Sequence, residues 1–501
     1  MTIFRKGSEK HWNWGLWLGA LVFFYFLRFP ISRDLAEPAR HMFAVTLLMA
    51  LFWISEAIPL AITALLPLVL FPLLEIMPTS QVAPNYAHHL IFLFMGGFFI
   101  ANAIQKWNLH KRFALNTIRW LGNRPRSLLL GFMLATAFLS MWISNTATAV
   151  MIMPIGLAVV HRLEEENQKQ ALAFGTVLML GIAYAASIGG TGTLIGTPPN
   201  LVFSAVYKKF FPNLPEVGFA RWMLLIFPLT LVLFGVTYFY LSHIVLGGGK
   251  KFAALRLDVR TILTELQQLG PLNRPQKRVV FIFATTALLW MFRSDIVIGT
   301  LKIPGWPGLV GLQGQIQDST IAIGMAMLLF VIPTGEKLIQ TPTLLNWKDI
   351  LTIPWDILLL FGGGLALAEG IQSTGLADFI AQKLTFISGL PDFVFIFGLS
   401  ISVALLTEMT SNTAVATTIL PILAAVSQDV AMPPLILMLP ATIAASCAFM
   451  LPVATPPNAI IFGTRLVPIR KMVQIGAMLI VLCALINGMY FILLKALLGN
   501  G

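Results

Sequence analysis

Four short stretches carry the groups that could do chemistry. Ser144-Asn145-Thr146 stands in "WISNTATAVMIMPI" and Ser411-Asn412-Thr413 in "MTSNTAVATTILPI", both inside otherwise apolar segments. Thr197-Pro198-Pro199-Asn200 closes "SIGGTGTLIGTPPN", and Thr455-Pro456-Pro457-Asn458 closes "MLPVATPPN". An Asn side chain offers one acceptor oxygen and two donors, and Ser and Thr hydroxyls act either way. Half-helix N-termini at such sites suit a carboxylate or another oxyanion. Freed carbonyls and half-helix C-termini, joined by Ser, Thr and Asn oxygens, suit a hard monovalent cation such as Na⁺. None of the four stretches contains Lys, Arg or His. A bound dianion would then be balanced by dipoles, amides and co-bound cations, which favours cation-coupled symport over exchange against a fixed cationic side chain.

The elements that must hold these groups follow from composition. With 57% hydrophobic and 11% charged residues and a mean hydropathy of +0.83, the chain is excluded from the soluble globular class, where about a quarter of residues are charged. Long apolar runs, among them Trp14–Phe29, Ala57–Leu74, Met223–Val245 and Met472–Leu494, approach the roughly 20 residues that a helix needs to cross a bilayer. The fold class expected is an all-α polytopic membrane protein, with residues 1–39 as an N-terminal segment and retained first helix. Cys447 and Cys483 both lie in apolar segments, which excludes a disulfide framework. The net charge of +12 does not indicate nucleic acid, because the basic residues fall at helix ends. A cytoplasmic N-terminus assigns 23 of the 33 Lys and Arg to the inside, as the positive-inside rule asks, and makes 247–277 a cytoplasmic linker.

That linker divides two similar halves, 40–246 and 278–501. "FMGGFFIANAIQ" from Phe94 aligns with "FGGGLALAEGIQ" from Phe361 at an offset of 267, and the same offset superposes Ser144–Ile155 on Ser411–Ile422 with eight of twelve positions identical. The Thr-Pro-Pro-Asn stretches match at an offset of 258. Charge places Lys106–Arg126 inside and its counterpart near Lys383 outside, so the repeats are read as inverted, as in secondary transporters with a midplane site. Each Ser-Asn-Thr becomes the tip of a re-entrant hairpin, over 127–161 and 393–428, since non-helical backbone at membrane depth is tolerated where it lines a cavity. Each Thr-Pro-Pro becomes the break in a helix, over 171–206 and 434–463, because proline removes an intrahelical bond and clashes with the preceding turn. About eleven transmembrane helices accompany the two hairpins.

At these residues the sequence resembles the divalent anion/sodium symporter family, the Na⁺-coupled di- and tricarboxylate transporters. The duplicated Ser-Asn-Thr, the duplicated Thr-Pro-Pro and "WISEAIPLAITALLP" at Trp53–Pro67 carry the likeness from about residue 40 to the C-terminus. The resemblance implies a homodimer in the bacterial cell membrane, whose transport domain moves against a scaffold as an elevator. It implies one Na⁺ site at Ser140, Ser144, Asn145 and Gly196 and a second at Thr407, Thr410, Asn412 and Ala454. Substrate would meet Asn145, Thr146, Thr197, Pro198, Ser411, Asn412, Thr413, Thr455 and Pro456. The expected function is symport of C4-type dicarboxylates such as succinate, malate or fumarate. The alternatives are Na⁺-independent exchange of dicarboxylates, for example 2-oxoglutarate against succinate, and sulfate transport.

Blander readings stand beside these. A lone Ser-Asn-Thr in a membrane segment is interhelical glue, and a lone Thr-Pro-Pro is a kink; duplication in matched context argues against both. Glu408 either tunes the site electrostatically or bonds nearby backbone. Glu56 reads as structural, Asp356 as a helix-start residue matching the dipole, and Arg465 as a cytoplasmic anchor. His88 and His89 lack other metal ligands nearby in sequence. The acidic run 163–170 reads as a solvated loop, and Lys106–Arg119 and Leu376–Leu390 as interfacial amphipathic helices. An enzyme finds no support: there is no HExxH motif and no GxSG serine that pairs with a histidine. Two tips of opposite orientation suit alternating access better than a channel filter.

Overall fold

Apolar runs punctuated by Pro and Gly fold into helices whose ends fall at those residues. The structure, a computed structural model, describes residues 14–29, 31–32, 35–122, 124–247, 260–298, 301–335, 342–383, 390–429 and 432–498. The basic N-terminal residues and residues 248–259 of the expected linker lie outside these.

The first half runs α1 (Trp14–Arg28), α2 (Glu37–Ser55), α3 (Leu60–Thr63), α4 (Leu66–Leu73), α5 (Thr79–Val82), α6 (His89–Lys106), α7 (Leu109–Leu121), α8 (Pro125–Ser140), α9 (Asn145–Thr191), α10 (Pro198–Phe210) and α11 (Phe219–Phe239). A π-helical turn at Tyr240–Val245 follows α11. Next come α12 (Arg260–Gln268), α13 (Arg274–Met291), strands β1 (Ile296–Ile298) and β2 (Leu301–Ile303), α14 (Trp306–Leu309), α15 (Asp318–Val331) and α16 (Trp347–Ile350). The second half continues with α17 (Trp355–Ser373), α18 (Leu376–Lys383), α19 (Asp392–Thr407), α20 (Asn412–Asp429), α21 (Pro434–Ala444), α22 (Pro456–Gly463) and α23 (Ile469–Leu498). Among the described residues, six helices are long and apolar enough to span a bilayer, with shorter apolar helices beside them. The chain is an all-α polytopic membrane protein, with one small antiparallel hairpin, β1–β2, that the sequence reading did not anticipate.

Two segments differ from expectation. The run Ala57–Leu74 is not one helix. Pro59 and Pro67 divide it into α3 and α4, with Ala64 and Leu65 between them, because proline at a helix start needs no N–H there. The acidic run 163–170 is not an open loop, since helical hydrogen bonding continues through it from Asn145 to Thr191. The chain nevertheless reverses direction there. A Cβ on Gly156 would lie 2.9 Å from Met179 Cε, and one on Gly175 the same distance from Val160 Cγ1. Small residues thus let the two arms of α9 pack antiparallel around a tight helical turn.

The order of elements repeats. A helix (α6, α17), a shorter one (α7, α18), a two-helix hairpin (α8 with the first arm of α9; α19 with α20) and a broken helix (the second arm of α9 with α10; α21 with α22) occur in each half. The amphipathic α7 buries Leu115 and Ile118 and exposes Trp120. Of Leu376–Leu390 only 376–383 is described as helix.

Candidate functional site

The two hairpin tips and the two helix breaks meet around one cavity of about 1130 Å³. Its lining includes Ser144, Asn145, Thr146, Gly196, Thr197 and Pro198 from the first half, and Thr410, Ser411, Asn412, Thr413, Ala454, Thr455 and Pro456 from the second. The facing wall comes from the end of α2, α3, the middle of α6 and the start of α17. Four helix N-termini, those of α9, α10, α20 and α22, therefore border the same space. Each presents the positive end of its dipole. Ser144 caps α9 by accepting from Ala147 N at 3.3 Å, and Thr455 caps α22 by accepting from Asn458 N at 3.3 Å.

Ser140 and Thr407 do not line the cavity; they stand behind the tips, fully buried. The Ser140 hydroxyl lies 2.6 Å from Asn145 Oδ1 and 2.7 Å from the Ala186 carbonyl. Its counterpart Thr407 lies 2.7 Å from Asn412 Oδ1 and 3.0 Å from the Ala445 carbonyl. Each hydroxyl has one proton for two acceptors. Three oxygens thus converge twice over with a single proton among them, a donor set that lacks positive charge and matches the oxygen ligands of a hard cation.

Glycine makes the first of these clusters tighter. A Cβ on Gly190 would sit 2.6 Å from Asn145 Oδ1, and one on Gly196 would sit 2.4 Å from the Gly190 carbonyl. The equivalent positions in the second half, by the 258 offset, are Ala448 and Ala454. The Thr410 hydroxyl donates to the Trp53 carbonyl of α2 at 3.0 Å, which orients it and leaves its oxygen lone pairs free.

Two buried polar residues, Asn200 and Asn458, were not singled out from sequence. Asn200 Nδ2 donates across the first break to the carbonyls of Gly190 (3.0 Å) and Thr193 (2.8 Å), and Asn458 Nδ2 does the same across the second to Ala448 and Leu451, at 3.1 Å each. These amides satisfy carbonyls that the breaks set free. The fourth residue of the repeated Thr-Pro-Pro-Asn was the available signal. Glu408, 3% exposed, accepts from the N–H groups of Phe449 (2.5 Å), Met450 (2.7 Å) and Leu451 (2.8 Å). It bonds backbone, and that backbone is the second break itself. Met141 occupies the equivalent place in the first half, where the contact is reversed: Thr193 of the break donates to the Met141 carbonyl at 2.5 Å.

Glu56 and Asp356 both border the cavity from the opposite wall. Glu56 caps α2 in a left-handed conformation, φ 47°, and Asp356 lies in the first turn of α17. Arg465 follows α22 and is not part of the lining. Among the described residues the lining includes no Lys, Arg or His. The rings of His88 and His89 lie 4.4 Å apart, and no group of three or more His, Cys, Asp or Glu that could hold a metal ion occurs among the described residues. Met409 and Val453 project from the second tip and break, 75% and 82% exposed, whereas Cys447 and Cys483 are buried.

Comparison with known proteins sets this arrangement in context. The family model described as the sodium:sulfate symporter transmembrane region matches residues 9–497. The sodium-dependent dicarboxylate transporter SdcS of Staphylococcus aureus, in strain MW2 and in strain NCTC 8325, is 42% identical over 486 residues, covering 95% of this chain and 91% of that protein. Among solved structures, MtrF of Neisseria gonorrhoeae, described as representing a class of antimetabolite efflux pumps, aligns with a TM-score of 0.55 at 12% identity, over 94% of this chain and 96% of that one. The YdaH transporter of Alcanivorax borkumensis aligns at 0.52 with 13% identity, over 93% and 99%. These two likenesses concern the fold alone.

Proposed function

This chain belongs to the sodium:sulfate symporter family, and on that premise we propose that it is a secondary active transporter coupling Na⁺ entry to the uptake of C4-type dicarboxylates across the bacterial cell membrane. The observation that carries this reading is the pair of one-proton oxygen clusters, Ser140 with Asn145 and Thr407 with Asn412, behind a cavity bordered by four helix N-termini. Na⁺ fits the clusters, using Ser140, Ser144, Asn145 and Gly196 in one half and Thr407, Thr410, Asn412 and Ala454 in the other. The carboxylates of succinate, malate or fumarate fit Asn145 and Thr146 at one tip and Ser411, Asn412 and Thr413 at the other, with Thr197, Pro198, Thr455 and Pro456 shaping the space between. Two monovalent cations balance the charge of a dianion without any basic side chain in the lining.

The same reading takes the tips as re-entrant, the halves as inverted repeats, the N-terminus as cytoplasmic and the protein as a homodimer. Hairpins and broken helices would travel together as an elevator past α2, α6, α13, α15 and α17. Two residues bond across these two sets of helices and would have to let go: Thr410, which donates to the Trp53 carbonyl, and Lys209, which meets Glu369 at 2.7 Å and the Leu365 carbonyl at 3.2 Å.

Uptake of radiolabelled succinate into proteoliposomes tests the proposal. Accumulation driven by an inward Na⁺ gradient, with empty vesicles and without competition by sulfate, is expected. Uptake that ignores Na⁺ and requires internal dicarboxylate would replace symport with exchange, and sulfate uptake in place of succinate would replace the substrate.

A further inference from the structure

A second cavity, of about 670 Å³, shares no lining residue with the first and opens where the second arm of α9, the π-helical turn after α11 and the start of α23 come together. Lys169, Gln170, Lys471 and Gln474 form its rim, while Val177, Val245 and Ile475 supply aliphatic walls below them. The lysines are both exposed, and among the described residues no carboxylate pairs with either. Further basic residues lie at this end beside the acidic residues of the run 163–170: Arg126 donates to the Ser242 carbonyl of the π-helical turn at 3.2 Å, and Arg465 and Arg470 flank the start of α23. Charge reading from the sequence puts this end on the cytoplasmic side.

The outer surface around the cavity is apolar. Leu172 on α9, Ile244 on the turn, and Met478 and Val481 on α23 are all exposed large hydrophobic side chains. In a membrane-spanning bundle such side chains face acyl chains. The groove therefore has positive charge at its mouth and an aliphatic interior open to the bilayer. A soluble anion would find the first half of that chemistry useful and the second useless; an anionic phospholipid uses both. Basic pockets between transmembrane helices on the cytoplasmic side bind phosphate-bearing head groups in this way.

We propose that the groove between α9, the α11 end and α23 is a binding site for an anionic phospholipid, its phosphate between Lys169 and Lys471 and an acyl chain along Val177, Val245 and Ile475. Thr176 at the groove donates to the Leu466 carbonyl at 2.7 Å, tying α9 to the segment between α22 and α23. A lipid seated there clamps three helices at one end, including the two that carry the polypeptide out of the two breaks' helical stems. The site is independent of which anion the transporter carries.

The test is lipid retention by the purified full-length protein, read by native mass spectrometry against phosphatidylglycerol and phosphatidylcholine of identical chains. Each lysine contributes about five-fold to the affinity, so Lys169→Gln with Lys471→Gln is expected to lower phosphatidylglycerol retention about 25-fold and to leave phosphatidylcholine unaffected. Val245→Trp, which fills the groove and keeps both lysines, is expected to lower it as well. Equal retention by wild type and either variant overturns the proposal. So does displacement of phosphatidylglycerol by an equal concentration of glycerol phosphate, which would make the groove a soluble-phosphate site.

Discussion

Ser140→Ala is the sharpest test of the oxygen clusters. In the wild type the Ser140 hydroxyl sits 2.6 Å from one acceptor and 2.7 Å from another, so one contact has no proton and a cation relieves it. Removing Oγ deletes one ligand, and hydrogen-bond and ligand contacts to charged groups are worth about 1.5–3 kcal/mol. The expected outcome is roughly 10- to 150-fold weaker apparent Na⁺ affinity. In thermal melts, Na⁺ at 100 times its dissociation constant stabilises a one-site protein by about 2.7 kcal/mol, and a tenfold weaker site leaves about 1.4 kcal/mol at the same concentration. Melting midpoints in NaCl and in choline chloride at equal ionic strength, with succinate uptake against Na⁺ concentration, measure this directly. Thr407→Val makes the same deletion in the second half, where one contact is longer, at 3.0 Å, and its effect should be the smaller. A folded Ser140→Ala protein with the wild-type Na⁺ dependence would refute the reasoning, as would a wild type that Na⁺ does not stabilise over choline.

Three further outcomes are expected. Glu408→Gln turns one carboxylate oxygen into a donor facing a buried N–H of residues 449–451, which costs about 2–4 kcal/mol; a lowered melting temperature together with reduced uptake checks it. Gly196→Ala drives a Cβ to 2.4 Å from the Gly190 carbonyl and should abolish uptake, while Ala454→Gly, which only removes a methyl group, should retain most of it. Lys209→Met leaves Glu369 and Asn85 without the ammonium they bond at 2.7 and 2.6 Å, destabilising by about 1–3 kcal/mol; adding Glu369→Gln should recover at least half of that loss in a double-mutant cycle.

The elements that bring the site together were legible because they occur twice. Ser-Asn-Thr and Thr-Pro-Pro each name a local event, a helix start or a helix break, and local events are written in consecutive residues. What escaped is chemistry between distant positions. For Glu408 bonding to backbone was one of two readings, but which backbone was not legible, because its partners lie 41 to 43 residues later; the roles of Asn200 and Asn458 are defined by carbonyls exposed only after the break has formed. The run 163–170 misled because acidic side chains advertise solvent, yet backbone hydrogen bonding can stay helical while the chain reverses, given Gly156 and Gly175 to let the arms close. Thr410 is a similar case, since its hydroxyl donates to the carbonyl of Trp53, 357 residues earlier, a partner that no local pattern names.

The contrast between Cys447 and Cys483, both buried and 3% exposed, and Val453 and Met409, which stand open in the cavity, has an experimental consequence. The wild-type chain should be nearly silent to thiol reagents, so it is its own cysteine-poor background. A single cysteine introduced at position 453 would report, by the side from which an impermeant maleimide reaches it and by the change in that reaction when Na⁺ and succinate are added, which way the cavity faces at each stage of the cycle.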